Sequence, residues 1–143
     1  MEIEWSLGYA SGVEKKTWAD AYMRLDIDPE KRLVRQTRSS RVYEDIPTMT
    51  QSIESILEQL REIDRAEYVL LQDLRAARGR NDREFESVMV QARPRLSQGF
   101  RRLAVVVATN IGRLQVQRYF ERDTPTACVF LDEKKALRWL LAE

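Results

Sequence analysis

Histidine is absent from the 143-residue chain, and cysteine occurs once, at Cys128. A single thiol cannot close an intrachain disulfide, and without imidazoles the common zinc and haem ligand sets have no basis. The same absence removes the usual general base, and Cys128 lies in an apolar run with no base to activate it. Excess charge is lacking too. The 24 Lys+Arg and 23 Asp+Glu residues leave a net charge of +1, too little for the overall basic field of a nucleic-acid binder. No apolar run approaches membrane-spanning length, and Glu2 and Glu4 do not suit a signal peptide. Neither a P-loop nor a GxGxxG pattern occurs. The expectation is a cytoplasmic, non-enzymatic protein with no cofactor, no metal, no nucleic-acid partner and no membrane span.

What is present fits one globular α/β domain spanning residues 1–143, at 43% hydrophobic and 33% charged residues. Ile3, Trp5, Leu7 and Tyr9 alternate with polar or small residues and predict a strand within an N-terminal extension, residues 1–17. Alternation from Ala19 through Met23, Leu25 and Ile27 predicts one longer strand. Asp28-Pro29-Glu30-Lys31 supplies a turn, and Leu33–Arg41 a third strand. Thr48 with Gln51 reads as a capping box ahead of a helix whose stripe is Ile53, Ile56, Leu57, Leu60 and Ile63.

The centre of the sequence is Tyr68–Phe85, YVLLQDLRAARGRNDREF. Tyr68–Leu71 is a continuous apolar run, as in a strand covered on both faces. A basic loop follows, with Arg75, Arg78 and Arg80. Asn81 and Glu84 have capping-box spacing ahead of a helix striped by Phe85, Val88, Met89, Ala92 and Leu96. Pro94 predicts that this helix kinks or ends there, and Gly99 closes the segment. Leu103–Ala108 and Ala127–Leu131 are two further apolar strands. A helix from Asn110 to Glu121 lies between them, and one capped by Asp132 follows, with Leu140 and Leu141 on its buried side. The order β-β-β-α-β-α-β-α-β-α implies antiparallel strands leading into a mainly parallel sheet flanked by helices.

That order, with DPEKRLVR, LLQDLRAARGRND, FRRLAVVV and VFLDEKKALRWL in sequence, resembles the STAS fold of bacterial anti-sigma-factor antagonists. The likeness covers about Met23 to Leu140 and is closer to the SpoIIAA-like, or STAS/SEC14-like, branch. In antagonists of that family an Asp ends the central strand, and a phosphorylatable Ser sits at the next helix N-terminus. Asp73 matches the former. The latter falls on Asn81-Asp82-Arg83, which carries no hydroxyl, so the resemblance implies a module without that kinase switch. Ser87 and Ser97 remain as hydroxyls in the same helix.

Two functional expectations follow. One is a regulatory module that contacts a protein partner through Arg75, Arg78, Arg80, Asn81, Asp82 and the adjoining helix. The alternative is a small-molecule module in which the same arginines hold an anion, such as a lipid headgroup or a nucleotide phosphate. Asp26, Asp28, Asp73 and Thr109 loosely resemble a phosphoacceptor set, but no lysine ends the last strand. Ile3, Trp5, Leu7 and Tyr9 are expected to form a homodimer interface. Arg75, Arg78 and Arg80 are expected to be the most functionally sensitive surface, so that replacing all three with Ala leaves the melting temperature nearly unchanged while abolishing partner or ligand binding.

Overall fold

The computed structural model describes residues 14–78, 82–123 and 127–142. Its strands are β1 (Lys16–Ala19), β2 (Met23–Asp28), β3 (Leu33–Arg38), β4 (Val69–Asp73), β5 (Leu103–Val106) and β6 (Cys128–Phe130). Its helices are α1 (Ile46–Leu60), α2 (Arg83–Ser97), α3 (Asn110–Asp123) and α4 (Glu133–Leu141), with a short 3-10 turn at Arg65–Glu67. The strands form one six-stranded sheet in chain order. β1, β2 and β3 are antiparallel, and β3 to β6 are parallel.

Parallel neighbours require a crossover, and each crossover here carries a helix. Because the strands advance in one direction, same-handed crossovers put α1, α2 and α3 on one face. Ile53 and Ile56 of α1, Phe85, Ala92 and Leu96 of α2, and Phe120 of α3 pack there on Leu25, Val34, Leu70 and Val105. The opposite face is covered by α4, where Ala136 and Leu140 meet Val69, Leu71, Ala104 and Val106. Strand alternation assigns the faces: Leu70 and Gln72 point to the three-helix side, and Val69, Leu71 and Asp73 to the other. The unbroken apolar runs of β4 and β5 follow from burial on both sides.

The mixed architecture matches the sequence, while several local expectations change. The long strand from Ala19 to Ile27 is a hairpin, β1–β2. Asp20 Oδ1 accepts from the backbone N–H groups of Tyr22 and Met23 at 2.8 Å each and folds the chain there. The third strand ends at Arg38, three residues early, where Ser39 N donates to Tyr22 O at 2.8 Å. The strand expected to reach Ala108 stops at Val106, and its partner pairs at Cys128–Phe130. Helix α1 is capped by Asp45, whose side chain accepts from Thr48 N at 2.8 Å; Thr48 is inside the helix. Pro47 in the first turn costs no hydrogen bond there.

Helix α2 continues past Pro94 to Ser97. Only the bond to the Val90 carbonyl is lost to the ring. Arg65 closes that end, its Nη1 donating to Arg95 O at 2.8 Å and Gln98 O at 2.9 Å. Gly99 follows with φ +86°, the left-handed step that glycine takes without strain. Arg102 treats α4 likewise, donating to Trp139 O and Ala142 O at 2.7 Å each. Leu141 is exposed, not buried, and Leu140 holds the inward position alone at the end of α4.

The strand expected at Ile3, Trp5, Leu7 and Tyr9 lies outside the described residues, as do Arg80 and Asn81. Among the described residues β1 is an edge strand, paired only with β2.

Candidate functional site

β4 divides its last residues between two neighbourhoods. Asp73 points to the α4 side and is 7% exposed. Arg75 folds back over it, with Nε to Oδ1 at 3.0 Å and Nη2 to Oδ2 at 2.7 Å, while its backbone N–H donates to Oδ1 at 3.1 Å. The same Nη2 lies 2.6 Å from Glu133 Oε1. Arg35 of β3 completes the cluster, 2.6 Å from Glu133 Oε1 and 3.8 Å from Asp73 Oδ2. The Arg75 hydrogen bond holds the Asp73 carboxyl below its ordinary range, and Arg35 does the same for Glu133. Arg75 itself is raised by Asp73 and stays charged at any usable pH. This four-residue network ties the loop after β4 to the first turn of α4.

Gln72 points the other way, into a cleft of about 200 Å3 at the carboxyl ends of β3 and β4. The sheet supplies Met23, Gln36, Arg38 and Gln72. The loop after β4 supplies Leu74, Ala77 and Arg78. Met89, Arg93 and Leu96 line it from α2, and Val116, Tyr119 and Phe120 from α3. A second hollow of about 120 Å3 adjoins it across Arg38, Arg78, Met89 and Arg93, and reaches Tyr43 and Phe85. In open sheets of this kind ligands meet the carboxyl ends of parallel strands.

The polar groups of the cleft are layered. Gln36 and Gln72 are register partners on adjacent strands, and Gln72 Nε2 donates to Gln36 Oε1 at 2.8 Å. They are 4% and 9% exposed and form the floor with Met23, Leu96 and Phe120. Gln36 Nε2 is buried and has no hydrogen-bond partner. One strand repeat further out, roughly 7 Å along β3, stands Arg38. Its guanidinium lies 4.8 Å over the Tyr43 ring, and its buried Nε also lacks a partner. Arg93 stacks 4.3 Å over Tyr119 and lies 3.8 Å from Glu86 Oε1. Arg78 is exposed, and no carboxylate pairs with it among the described residues.

Tyr43 is held rigidly under Arg38. Its ring stacks on Tyr22 at 4.5 Å, and its hydroxyl donates to Ser52 Oγ at 3.1 Å. Burial raises its phenol above the ordinary value, so it remains neutral beside the arginine.

No protein-family model matches the sequence, and no curated protein does. A structural match exists to an uncharacterized protein of the DUF3478 family with a SpoIIAA-like fold, from Shewanella loihica PV-4. It covers 90% of this chain and 93% of that one, with a TM-score of 0.55 and 13% identity. The chain has a SpoIIAA-like fold. At that identity the likeness concerns the fold alone. It agrees with the resemblance carried by the hairpin, the central strand and the C-terminal helix. Within this fold, the expected site residues separate. Arg75 is engaged on the α4 face, Arg78 lines the cleft on the other, and Asp82 occupies the N-cap of α2, where Asn81 was expected. The Asp82 side chain makes no capping bond to the helix, whose first turn instead closes through Glu86 N to Asp82 O at 3.0 Å. Ser97, one of the two hydroxyls in α2, is 3% exposed and donates to Arg93 O at 2.7 Å.

Arg38, Arg93, Gln36 and Gln72 were not among the expected site residues. The sequence does mark three of them: polar residues at alternate positions of apolar strands, as in Val34-x-Gln36-x-Arg38 and Leu70-x-Gln72-x-Leu74. Their partnership depends on the β3–β4 register, and Arg93 on the docking of α2.

No group of residues suited to hold a metal ion occurs among the described residues, and no described helix is long and apolar enough to cross a membrane.

Proposed function

We propose that the protein is a non-catalytic STAS-like module that binds a small anionic, partly apolar molecule in the cleft between α2 and α3. The carrying observation is the convergence of Arg38, Arg78 and Arg93 on an apolar-walled hollow, with the buried Nε of Arg38 unpartnered. Guanidiniums recognise carboxylates and phosphates through paired donors, and a desolvated one gains most from an anion. The apolar walls favour a ligand with a hydrocarbon body. At about 200 Å3 the room is below the roughly 300–1,000 Å3 of drug-sized sites, which favours a short molecule over a long-chain lipid.

Calorimetric titration with heptanoate and with hexyl phosphate tests this. Binding of either, weakened at least about tenfold by Arg38→Ala, is the expected result, since a charged hydrogen bond contributes roughly 1.5–3 kcal/mol. Absence of heat with both ligands at millimolar concentration would refute the reading.

A second reading is a protein partner at the same end of the sheet. It is favoured by Ile111 and Leu114, which are 71% and 56% exposed on the first turns of α3. Ile111→Glu with Leu114→Glu should then abolish partner capture and leave heptanoate binding intact; unaltered capture would exclude this surface.

A further inference from the structure

The floor of the cleft carries information that its arginines do not. Gln36 is 96% shielded from solvent, as its 4% exposure states, yet its Nε2 donates to nothing. Its carbonyl is already used by Gln72. A buried amide donor left unpaired costs free energy, so such groups are almost always served by protein, water or ligand. Here the unserved donor lines the cleft, one strand repeat below Arg38.

We infer that the cleft selects an anion whose apolar body carries a neutral hydrogen-bond acceptor, such as a keto oxygen, about five or six bonds from its charged end. This rests on the cleft being an anion site. The spacing follows from the roughly 7 Å between alternate residues of a strand. The acceptor is neutral because the floor offers amides and apolar side chains. Met23, Leu96 and Phe120 line the same cleft, and Arg38 stands one strand repeat further out. A second carboxylate placed there would lose hydration without gaining a cation. Turning Gln36 alone over would put two amide nitrogens against each other, and turning both amides over would move the free donor to Gln72, its register partner on the same floor, so the pair keeps one amide nitrogen unserved in either arrangement. Tyr22 and Ser52, through Tyr43, hold Arg38 in place above.

The test is a calorimetric comparison of heptanoate with 6-oxoheptanoate on the full chain. Wild type is expected to bind the keto acid roughly tenfold tighter, the effect of one buried hydrogen bond. Gln36→Leu combined with Gln72→Leu removes donor and partner together, and should bring the two acids within about twofold of each other, since an apolar floor no longer distinguishes them. A measurement on wild type alone guards against a variant that fails to fold. The carbonyl resonance of 6-oxoheptanoate labelled with carbon-13 at the ketone should move downfield on binding, as a hydrogen-bonded carbonyl does. Equal affinities in wild type, with both abolished by Arg38→Ala, would overturn the selection and leave the anion site standing. An unshifted ketone resonance in the bound state would also overturn it. Failure of both acids to bind would overturn the selection and the anion site together.

Discussion

Replacing Arg75 with alanine separates a solvated loop from a structural lock. The substitution removes the two side-chain bonds to Asp73, at 3.0 and 2.7 Å, and the 2.6 Å contact with Glu133. Glu133 keeps Arg35 at 2.6 Å and loses little. Asp73 is the group left exposed to the change in environment: it is 7% accessible, its other cation stands at 3.8 Å, and only the residue 75 N–H remains as a close donor. Charged hydrogen bonds contribute roughly 1.5–3 kcal/mol each where water is excluded. The Arg75 side chain is 42% exposed, so solvent screening reduces that contribution. A net loss of about 2 kcal/mol results, or about 4–8 °C in melting temperature for a chain of this size.

The loss has a defined pH dependence. Asp73 and Glu133 both titrate below their ordinary values of 3.8 and 4.5 in the folded protein. Depressed carboxyls contribute stability that is fully present above their unfolded values and is lost as pH falls through the folded ones. The difference between wild type and Arg75→Ala is therefore greatest near neutrality and shrinks below about pH 4. Urea denaturation followed by circular dichroism at neutral and acidic pH measures both. A variant that melts within about 1 °C of wild type at neutral pH would refute the lock and restore the solvated loop.

Arg78→Ala, in the same loop but with no carboxylate partner among the described residues, should leave the melting temperature unchanged and weaken heptanoate binding; a large thermal shift would contradict its placement at the cleft. Leu140→Ala, at a fully buried position of α4, should cost about 2–5 kcal/mol by denaturation, and a loss below 1 kcal/mol would mean that α4 does not seal the second face. Arg65→Ala removes the donor that holds Arg95 O and Gln98 O, and should speed hydrogen exchange at the end of α2 ahead of the sheet; uniform exchange would argue against that cap. If Ile3, Trp5, Leu7 and Tyr9 form a dimer interface, Trp5→Glu with Leu7→Glu should convert a sedimenting dimer to monomer, and a wild-type monomer at high concentration would end that proposal.

Elements built on local periodicity were legible. The apolar runs at Val69–Leu71 and Leu103–Val106 became doubly covered strands, and the stripe of Ile53, Ile56 and Leu60 became the buried side of α1. Boundaries set by a single side chain were not. Alternation continues across Asp20, so period alone cannot reveal that its carboxylate captures two amides and folds the chain into a hairpin. Pro94 reads as a breaker, yet the loss of one bond near a helix end is tolerated when Arg65, thirty residues away in sequence, holds the neighbouring carbonyls.

The order of elements, the burial of the central strands and the presence of arginines beyond β4 can be read along the chain, because helical and strand periods and apolar burial are local properties. Where Arg75 and Arg78 are drawn depends on contacts between distant parts of the chain. Residues two apart in a strand share a face, but residues one apart are separated by the whole sheet. So Gln72 and Asp73, adjacent in sequence, enter different environments. Asp73 draws Arg75 into an ion-pair lock with Arg35 and Glu133, while Gln72 meets Gln36 in the cleft that Arg38, Arg78 and Arg93 also line. That division depends on the β3–β4 register and on which face each helix covers, and both are fixed by contacts between residues far apart in the chain.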